Sequence, residues 1–577
     1  MNRNTEQHFK NTPQIDIKRS KFDMSHSVTT TMNCGDIVPL MMDCDILPGD
    51  TVQMDMAEVV RMATPIYPIM GNIYMDIYWF FVPHRLVWDH WSEFWGENDD
   101  PWAQTTEYEI PQIKPPSGGW TEGTIADYMG VATKVAGNMS ISALPFRAYA
   151  KIFNDWFRNE NTNSCAHIYT DETTRTGNNG TNYITDIEMG GKPAKAARFH
   201  DRFSSALPQP QKGDPVSLPI GGLAPILGGE SVPISLEIGN KAVKGASGTQ
   251  GLLGQTLKMS PSGITSGYTT VLMNQNGELI AKGDSQTLAS AQTSMKAANL
   301  IADVGTVNTN INLTNLYTDL SSATAATINQ LRLAFSIQKY LENAGLHGTR
   351  YIEYIRGVFG VTSSDARFQR AEYLGGTRFP LNIDQVIQTS STDSTSPQGN
   401  TAGFSCTINK DSMFTKSFEE HGTLMCLGVI RVDHQYQQGI HPMWSRKKWL
   451  HHYNPFFAHI GEQPVFNREL YAQGTSVDDE TFGFQEAWSE YRYKPSIVTG
   501  YMRSNATGSL DVWHLADKYN SLPTLSPQWM AEPVENVDRV IAVTSQLTHQ
   551  FWGDFYFKCE YSRPMPVYSV PGLIDHV

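Results

Sequence analysis

The stretch "NIYMDIYWFFVPHRLVWDHWSEFWGEND", residues 72–99, decides the fold, because it opens with two alternating faces that are both apolar or aromatic. One face carries Ile73, Met75, Ile77, Trp79 and Phe81, and the other carries Tyr74, Asp76, Tyr78 and Phe80. A period of two predicts a β-strand, and aromatic residues on both faces indicate a central strand covered on both sides. Pro83 ends the predicted strand, since proline cannot donate to the ladder.

A membrane anchor and an aromatic ligand-binding box are the other interpretations of this segment. The apolar run is far shorter than the roughly 20 residues of a membrane-spanning helix, and Asp76 interrupts it. A buried core is favoured over a ligand box. After the strand, a short helix is predicted over 86–95, with Leu86, Trp91 and Phe94 on one side.

The composition favours a protein rich in strands and loops. The chain has 577 residues, of which only 18% are charged, with 46 Gly and 31 Pro. Asn, Thr, Ser, Gln and Gly fill the balance, and these residues favour turns and strand edges over helix interiors. Aromatic-rich segments near both ends, such as "HQFWGDFYFKCEY" at 549–561, predict a β-sandwich whose early and late strands pair.

Charge and cysteine usage exclude several classes of protein. The net charge of −14 excludes an overall basic footprint for nucleic acid, so any such contact must be local. No two of the 6 cysteines are separated by two residues, so neither a zinc ribbon nor a redox pair is indicated and reduced thiols are expected. The N-terminus lacks the apolar core of a signal peptide, and no membrane insertion is expected.

Smaller patterns predict further elements. Val52, Met54 and Met56 share one face of a predicted strand. Helices are predicted in 143–158 and in 323–343, the second ending at Gly345. A β-hairpin is predicted in "TTVLMNQNGELIAKG", in which Asn276-Gly277 supplies the residues of a tight primed turn.

Four segments are predicted along the chain. They are a flexible N-terminal arm (1–21), a first part of the sandwich with helical excursions (22–221), an inserted surface protrusion (222–322) and a second part of the sandwich (323–577). No tryptophan occurs between Trp156 and Trp444, and the insertion has few aromatic residues of any kind. A disordered linker is the alternative for the insertion, which the predicted hairpin makes less favourable.

Motifs of enzymes are missing or incomplete. The sequence has no dinucleotide-binding glycine motif, no phosphate-binding loop, no zinc-protease motif and no nucleophile elbow. Five histidines cluster, namely His434, His441, His451, His452 and His459. No carboxylate stands at ligand spacing beside them, so core or interface histidines are favoured over a metal site, and no metal or cofactor is predicted.

The segment "MWSRKKWLHHYNPFF" (443–457) is the strongest candidate for a chemical contact. Arg446, Lys447 and Lys448 form the densest positive run of the chain, flanked by Trp444 and Trp449. Cations for phosphates and aromatic faces for unstacked bases suit single-stranded nucleic acid. A solvated basic loop anchored by its tryptophans is the alternative.

Ordered blocks along the chain carry a resemblance to a known family. They include "SKFDMSH", "RMATPIYPIMGNIYMDIYWFFVPHRLVWDHW", "GTRYIEYIRGVFGVTSSDARFQRAEYLGG", "FGFQEAWSEYRYKPSIVTGYMRS" and "RPMPVYSVPGLIDHV". Together they resemble the major capsid protein of gokushoviruses, small single-stranded DNA bacteriophages of the Microviridae. The match is collinear from about residue 19 to the C-terminus. Departures are modest: Ser364 and Ala371 replace usual prolines, and "SRKKW" is more basic than the common form.

The resemblance implies an eight-stranded antiparallel jelly roll with long insertions that assembles into a T=1 icosahedral capsid around a circular single-stranded DNA genome. It implies a virion protein, assembled in the cytoplasm of a bacterial host, with copies of itself as main partner. A small internal DNA-binding phage protein and a host receptor, met by the insertion 222–322, are further expected partners.

Two functions from different classes follow. In the first, a capsid subunit contacts the genome through Arg446, Lys447, Lys448 and Trp449. The N-terminal cations Lys18, Arg19 and Lys21 are the second candidates. In the alternative, the chain is a carbohydrate-active β-sandwich enzyme, since one fold serves many functions; the absence of an acid–base constellation in the sequence disfavours it.

Overall fold

The computed structural model describes most of the chain outside the predicted insertion. The described residues are 18–97, 107–137, 139–216, 328–348, 350–392 and 397–568, with the backbone of short strands between 226 and 318. The residues 1–17 of the predicted arm and the turn at Asn276-Gly277 lie outside the described residues.

Eight long strands form two antiparallel sheets. In chain order they are β1 (His26–Met32), β2 (Val38–Ile46), β3 (Thr51–Met62), β4 (Ile73–Pro83), β5 (Glu372–Pro380), β6 (Thr407–Ser417), β7 (Gly422–Val432) and β8 (Phe551–Arg563). The first sheet has the order β1-β8-β3-β6, and the second has the order β2-β7-β4-β5. The predicted mainly-β class is confirmed.

The strand order is that of a jelly roll. A long antiparallel hairpin pairs β1 with β8, β2 with β7, β3 with β6 and β4 with β5. This hairpin folds over, so that β8 also pairs with β3 and β7 with β4. The two sheets then enclose a core built from alternate residues of every strand.

The strand β4 is central in the second sheet and buried on both faces, as its sequence predicts. Ile73, Ile77 and Trp79 belong to the core between the sheets, where the Trp79 ring meets the Phe557 ring edge-on at 5.8 Å. On the opposite face Phe80 lies in a second core, formed against the segments that cover the sheet. Burial of such aromatic side chains stabilises the fold by roughly 2 kcal/mol each.

The helix α1 (Leu144–Ile152) covers the outer face of the second sheet, which is the face turned away from the core between the sheets. Its buried residues include Tyr149 and Ile152, as the helical spacing predicts, and a π-helical turn, Phe153–Phe157, continues it. Tyr149 fixes the helix, since its hydroxyl donates to the Ile37 carbonyl at 2.7 Å.

Two predicted helices differ from the observed ones. Instead of one helix over 86–95 there are two separate turns, His84–Leu86 and Trp91–Phe94. Between them the Asp89 N–H donates to the Thr170 carbonyl at 3.1 Å, which diverts the backbone from helical pairing. The second helix, α2 (Ile328–His347), runs past Gly345, and the next glycine, Gly348, has the positive φ of a helix stop (+87°).

Two connections carry almost all of the remaining chain. The connection from β4 to β5 spans 84–371, and the connection from β7 to β8 spans 433–550. The second connection contributes most of a third core, which includes Tyr436, Leu470, Phe482 and Trp529.

The remaining elements are short. The other strands outside the insertion are Ser20–Asp23, Gln112–Lys114, Ile141–Ser142, Arg175–Thr176, Ile383–Ile387, Thr401–Ser405, Gln463–Phe466 and Thr481–Gln485. The single-turn α-helices are Trp91–Phe94, Ile125–Tyr128, Tyr351–Tyr354, Asn467–Leu470, Ser489–Arg492, Pro527–Met530 and Glu535–Asp538. Ser20–Asp23 pairs with β8, so the boundary predicted for the arm at residue 21 falls inside a strand.

The chain separates into two compact units, one of Met1–Asp214 with Tyr340–Val577 and one of Pro215–Lys339. The predicted insertion 222–322 lies within the second unit. Its strands pair antiparallel in small sheets, and Thr269–Met273 pairs with Leu279–Ala281 in the hairpin that the sequence predicts. The other strands are Ile226–Gly228, Leu236–Ile238, Lys241–Val243, Leu257–Ser260, Asn299–Ile301, Asn312–Leu313 and Leu316–Thr318.

Candidate nucleic-acid interface

The basic aromatic segment lies in the connection from β7 to β8 and folds as three short 3-10 turns. These are Pro442–Ser445, Trp449–His451 and Pro455–Phe457. Proline opens the first and third turns, where its missing N–H costs nothing. Side chains cap both, because the His441 ring accepts from the Met443 N–H at 3.2 Å and the Asn454 amide oxygen accepts from the Phe456 N–H at 3.1 Å.

A buried tryptophan supports these turns from below. Trp488 is 5% exposed and takes the left-handed conformation at φ +63°. Its indole N–H donates to the Phe457 carbonyl at 2.9 Å, and its backbone N–H donates to the Gln463 side chain at 3.2 Å. The Tyr453 ring meets the Trp488 ring edge-on at 5.9 Å. Trp488 thus joins the loop to the hairpin of Gln463–Phe466 and Thr481–Gln485.

The three turns expose large aromatic rings beside two lysines. Trp444 is 76% exposed, Trp449 is 67% exposed and Phe456 is 92% exposed. Lys447 and Lys448 are exposed between the two tryptophans, and neither forms an ion pair with a described residue. Isolated exposed aromatics are ordinary, but several around free ammonium groups mark a surface for a ligand. We call Trp444, Lys447, Lys448, Trp449 and Phe456 the 444–456 surface.

Arg446 has a different environment from its neighbours. Its guanidinium pairs with the Glu490 carboxylate at 3.2 Å and lies 4.4 Å from the centre of the Tyr491 ring. The Arg446 side chain is only 14% exposed. The structure therefore holds Arg446 beneath the surface, where it positions the loop that presents the two lysines.

The N-terminal cations Lys18, Arg19 and Lys21 have contacts different from those of the 443–457 segment. Lys21, in the strand paired with β8, forms an ion pair of 2.5 Å with Glu560. The Arg19 guanidinium lies against Gly49, and Lys18 is exposed. No hydrogen bond or ion pair between described residues joins these three cations to the 444–456 surface.

A buried charge network, which no sequence pattern predicts, lies at the start of the same connection. His434 bonds to the Asp517 carboxylate through Nδ1 at 3.1 Å and to the Glu532 carboxylate through Nε2 at 3.2 Å. Arg198 pairs with Asp517 at 2.7 Å. Burial disfavours the charge on His434, but Asp517 and Glu532 outweigh that cost and raise its pKa to about 10.

These groups form a structural network within the fold. All four side chains are at most 4% exposed, so the charges are closed off from solvent and satisfy each other. Within the described part of the chain, no group of three His, Cys, Asp or Glu side chains is arranged to hold a metal ion. No sequence spacing could have found this network, because its members come from 198, 434, 517 and 532.

Comparison with known proteins decides the family. The model of the capsid protein (F protein) family matches residues 11–573, nearly the whole chain. The chain belongs to the capsid protein (F protein) family. This capsid protein is 41% identical over 565 residues to capsid protein VP1 of Spiroplasma virus 4, covering 96% of each chain.

Two further relatives carry the same name. Capsid protein VP1 of Bdellovibrio phage phiMH2K is 40% identical over an alignment of 582 positions, which covers 99% of this capsid protein and 98% of the relative. Capsid protein VP1 of Chlamydia phage 1 is 37% identical over an alignment of 602 positions, which covers 98% of this capsid protein and 97% of the relative. The resemblance to gokushovirus capsid proteins is confirmed, and the chain is a structural protein of the virion.

The comparisons also decide between the two classes of function. The relatives are capsid proteins, so the alternative of a carbohydrate-active enzyme is wrong. In the part of the capsid protein that the structure describes, no helix has both the length and the apolar character to cross a bilayer.

Proposed function

We propose that this capsid protein assembles with copies of itself into a T=1 icosahedral shell around a circular single-stranded DNA genome. The family match over residues 11–573 is the observation that carries the proposal. Closed shells form when heterologous contacts repeat around symmetry axes until none is left open. Many weak contacts then act together, because closure makes each later contact intramolecular.

Exposed apolar residues at the edge of the first sheet support self-assembly. Ile408 on the edge strand β6 is 75% exposed, and Phe404 and Val386 on the adjoining hairpin are 47% and 50% exposed. Apolar groups of this kind at a sheet edge favour association unless a neighbour covers them. We assign them to a contact between copies.

The assembly contact is tested by Ile408→Asp. The variant should keep the far-ultraviolet circular dichroism of the wild type but sediment as free subunits, since a buried charge opposes the contact. Ile66→Asp, which replaces another exposed isoleucine, is the matched control and should still give particles. Particles of normal yield from Ile408→Asp would contradict this assignment.

For the genome contact we propose the 444–456 surface on the inner face of the shell. Lys447 and Lys448 would pair with phosphates, and Trp449 with its aromatic neighbours would stack on unpaired bases. Arg446 would act by holding the loop. Lys18, Arg19 and Lys21 are the second candidates, and a small internal DNA-binding phage protein would share this face.

The double variant Lys447→Ala/Lys448→Ala tests the genome contact. Packaged DNA or the salt resistance of filled particles should fall, and the slope of binding against salt should decrease by about 2. Lys114→Ala/Lys518→Ala removes the same charge from exposed positions outside both the surface and the edge strand β6, and serves as control. Unchanged DNA content and salt slope in the first variant would exclude the surface from the contact.

We further propose that the insertion 222–322 protrudes and contacts a receptor on the host. Its separation into a compact unit of its own supports this, and so does the short distance between its flanks, since the Lys212 N–H donates to the Leu341 carbonyl at 3.3 Å. Deletion of 240–315 should leave particles that assemble but adsorb poorly to cells. Loss of assembly by a folded subunit would make the insertion structural instead.

A further inference from the structure

An aromatic cleft of about 350 Å³ opens on the outer face of the second sheet, and its lining shares no residue with the 444–456 surface. Strands β4, β5 and β7 supply its floor, and segments around Phe157 and Phe199 supply its sides. Its size lies within the range of pockets that hold small ligands. All of its residues belong to one compact unit of the chain.

One side of the cleft is a continuous cluster of rings. The Phe80 ring lies 5.6 Å from the Tyr373 ring, and the Trp156 ring lies 5.6 Å from Tyr373 as well. Phe157 meets Tyr78 edge-on at 5.3 Å. Phe80 is buried, whereas Trp156 is 38% exposed and Tyr373 is 40% exposed. Because the Arg370 guanidinium lies over the Trp156 ring, 4.0 Å from its centre, Tyr373 is the ring that offers its surface to a ligand.

The other side combines one ring with two cations. The guanidinium groups of Arg378 and Arg431 lie 4.5 Å and 4.7 Å from the centre of the Phe199 ring. Both arginines also bond to the buried carboxylate of Asp76, Arg378 through Nε at 2.5 Å and Arg431 through Nε at 3.0 Å.

The charges on this side do not cancel. Two guanidinium groups face the single carboxylate of Asp76, so one positive charge remains. The Arg378 side chain is 50% exposed and gives only Nε–H and Nη2–H groups to Asp76. Since an arginine has five N–H donors, Arg378 keeps donors for an anionic oxygen from a ligand.

Aromatic faces opposite a half-exposed arginine match an unstacked nucleobase joined to a phosphate. We propose that this cleft binds one base of single-stranded DNA, which stacks on Tyr373 beside Trp156, with the adjoining phosphate on Arg378. The proposal rests on the proposed function only in taking single-stranded DNA as the enclosed polymer. It adds a second genome contact, centred on one base, to the contact proposed at the 444–456 surface.

The test compares a short labelled oligothymidylate with an abasic oligonucleotide of equal length and charge, using fluorescence anisotropy with the full-length protein. Tyr373→Ala should weaken oligothymidylate binding about 5- to 100-fold, as expected for one lost stacking contact, and should leave abasic binding unchanged. Tyr373→Phe keeps the ring and should bind like the wild type. Tyr169→Ala removes a tyrosine of similar exposure (38%) outside the cleft and serves as control.

A second measurement needs no variant. Irradiation of the wild-type protein with an oligonucleotide that contains bromodeoxyuridine should cross-link the peptide of Trp156 or of Tyr373, identified by mass spectrometry. Equal affinity of Tyr373→Ala and wild type, or an equal loss for the abasic strand, would overturn the proposal. If Tyr373→Ala weakened only the binding of an acidic, aromatic peptide and not that of DNA, this result would also overturn the proposal and would assign the cleft to a protein partner.

The experiments distinguish failure of the cleft proposal from failure of the proposed contact between the capsid protein and DNA. If Lys447→Ala/Lys448→Ala weakens oligonucleotide binding and Tyr373→Ala does not, only the cleft proposal fails. If the wild-type protein binds neither oligonucleotide, the DNA contact of the proposed function fails as well.

Discussion

At the scale of single residues, Asp76 is the one acidic side chain of the central strand β4, and it is 1% exposed. A buried carboxylate costs several kcal/mol unless partners and hydrogen bonds compensate. Arg378 from β5 and Arg431 from β7 supply both, so three neighbouring strands are joined on the outer face of the second sheet.

Asp76→Asn should lower the free energy of unfolding by about 3 kcal/mol, because it leaves two guanidinium groups without their buried partner. Urea denaturation of unassembled subunits would measure the change. Asp55→Asn is the control, since Asp55 faces Lys558 at 3.7 Å in a partly exposed pair and its loss should cost less than about 1 kcal/mol. Equal losses in the two variants would show that Asp76 is not a structural anchor.

Glu462 is a carboxyl group that the fold disfavours in its charged form. Burial, with the negative charges of Glu486 and Glu342, raises its pKa from 4.5 to about 7. The folded state therefore holds the proton more tightly than the unfolded state. The stabilisation from the protonated form is complete below pH 4.5 and is lost as the pH rises to about 7.

Glu462→Gln should accordingly raise stability at pH 8 by about 1–2 kcal/mol, after allowance for solvent screening, and change little at pH 4. Thermal unfolding at the two pH values would measure the difference. Glu480→Gln, at an exposed position, should show no such dependence. A gain in stability that is the same at both pH values would mean that ionisation of Glu462 is not its cause.

At the scale of elements, one hydroxyl attaches α1 to the sandwich. The Tyr149 hydroxyl donates to the Ile37 carbonyl at 2.7 Å and accepts from the Ala194 N–H at 3.1 Å. Both backbone partners are buried and come from different parts of the chain, so a single side chain positions the helix relative to two segments.

Tyr149→Phe should destabilise the subunit by about 1–3 kcal/mol, because two buried backbone groups lose their partner while the packing of the ring is kept. Urea denaturation gives the total, and hydrogen exchange should show the loss concentrated at Ala194 and in α1. Tyr169→Phe, on an exposed ring, is the comparison and should be neutral. Uniform exchange across the subunit would contradict local attachment by Tyr149.

Local periodicity explains which elements could be predicted. The alternation of Val52, Met54 and Met56 and the two-faced pattern of Ile73–Pro83 follow from strand geometry, so both strands are confirmed. Over 86–95 the helical spacing was misleading, because the Asp89 N–H bonds to the distant Thr170. Local patterns carry no information on such a competing partner.

Contacts between residues far apart in the chain explain why the ion pairs of Asp76 and the neighbouring cleft could not be predicted from the sequence. Asp76 is separated from Arg378 by 302 residues and from Arg431 by 355, so neither ion pair nor the cleft beside them has a local signature. From residue types alone, Arg446, Lys447 and Lys448 are predicted to form one contact with nucleic acid. Only the fold separates the anchored Arg446 from the two exposed lysines.

At the scale of the whole molecule, the last long strand occupies the interior of the first sheet. β8 pairs with β1 on one side and with β3 on the other, and its Phe555 and Phe557 belong to the main core. Until β8 is in place, the sandwich is incomplete, because β1 has no partner in the sheet and β3 is paired only with β6.

A chain that ends at residue 545 should fail to fold, as measured by circular dichroism and by binding of a dye for exposed apolar surface, because β1 and β3 lose their shared partner. A chain that ends at Tyr568 keeps β8 and is the control, which should fold. Native spectra from the shorter chain would show that the sandwich closes without its last strand.

The interior position of β8 also determines when, during its synthesis, a subunit can complete its fold. At about 5–20 residues per second, a ribosome needs roughly half a minute to two minutes to reach Arg563. Until then β1 and β3 lack the partner strand β8, and the nascent chain has no complete sandwich with which to contact a neighbouring subunit. Each subunit should therefore join a particle only after its synthesis is essentially complete, and fragments from aborted translation should be kept out of the growing shell.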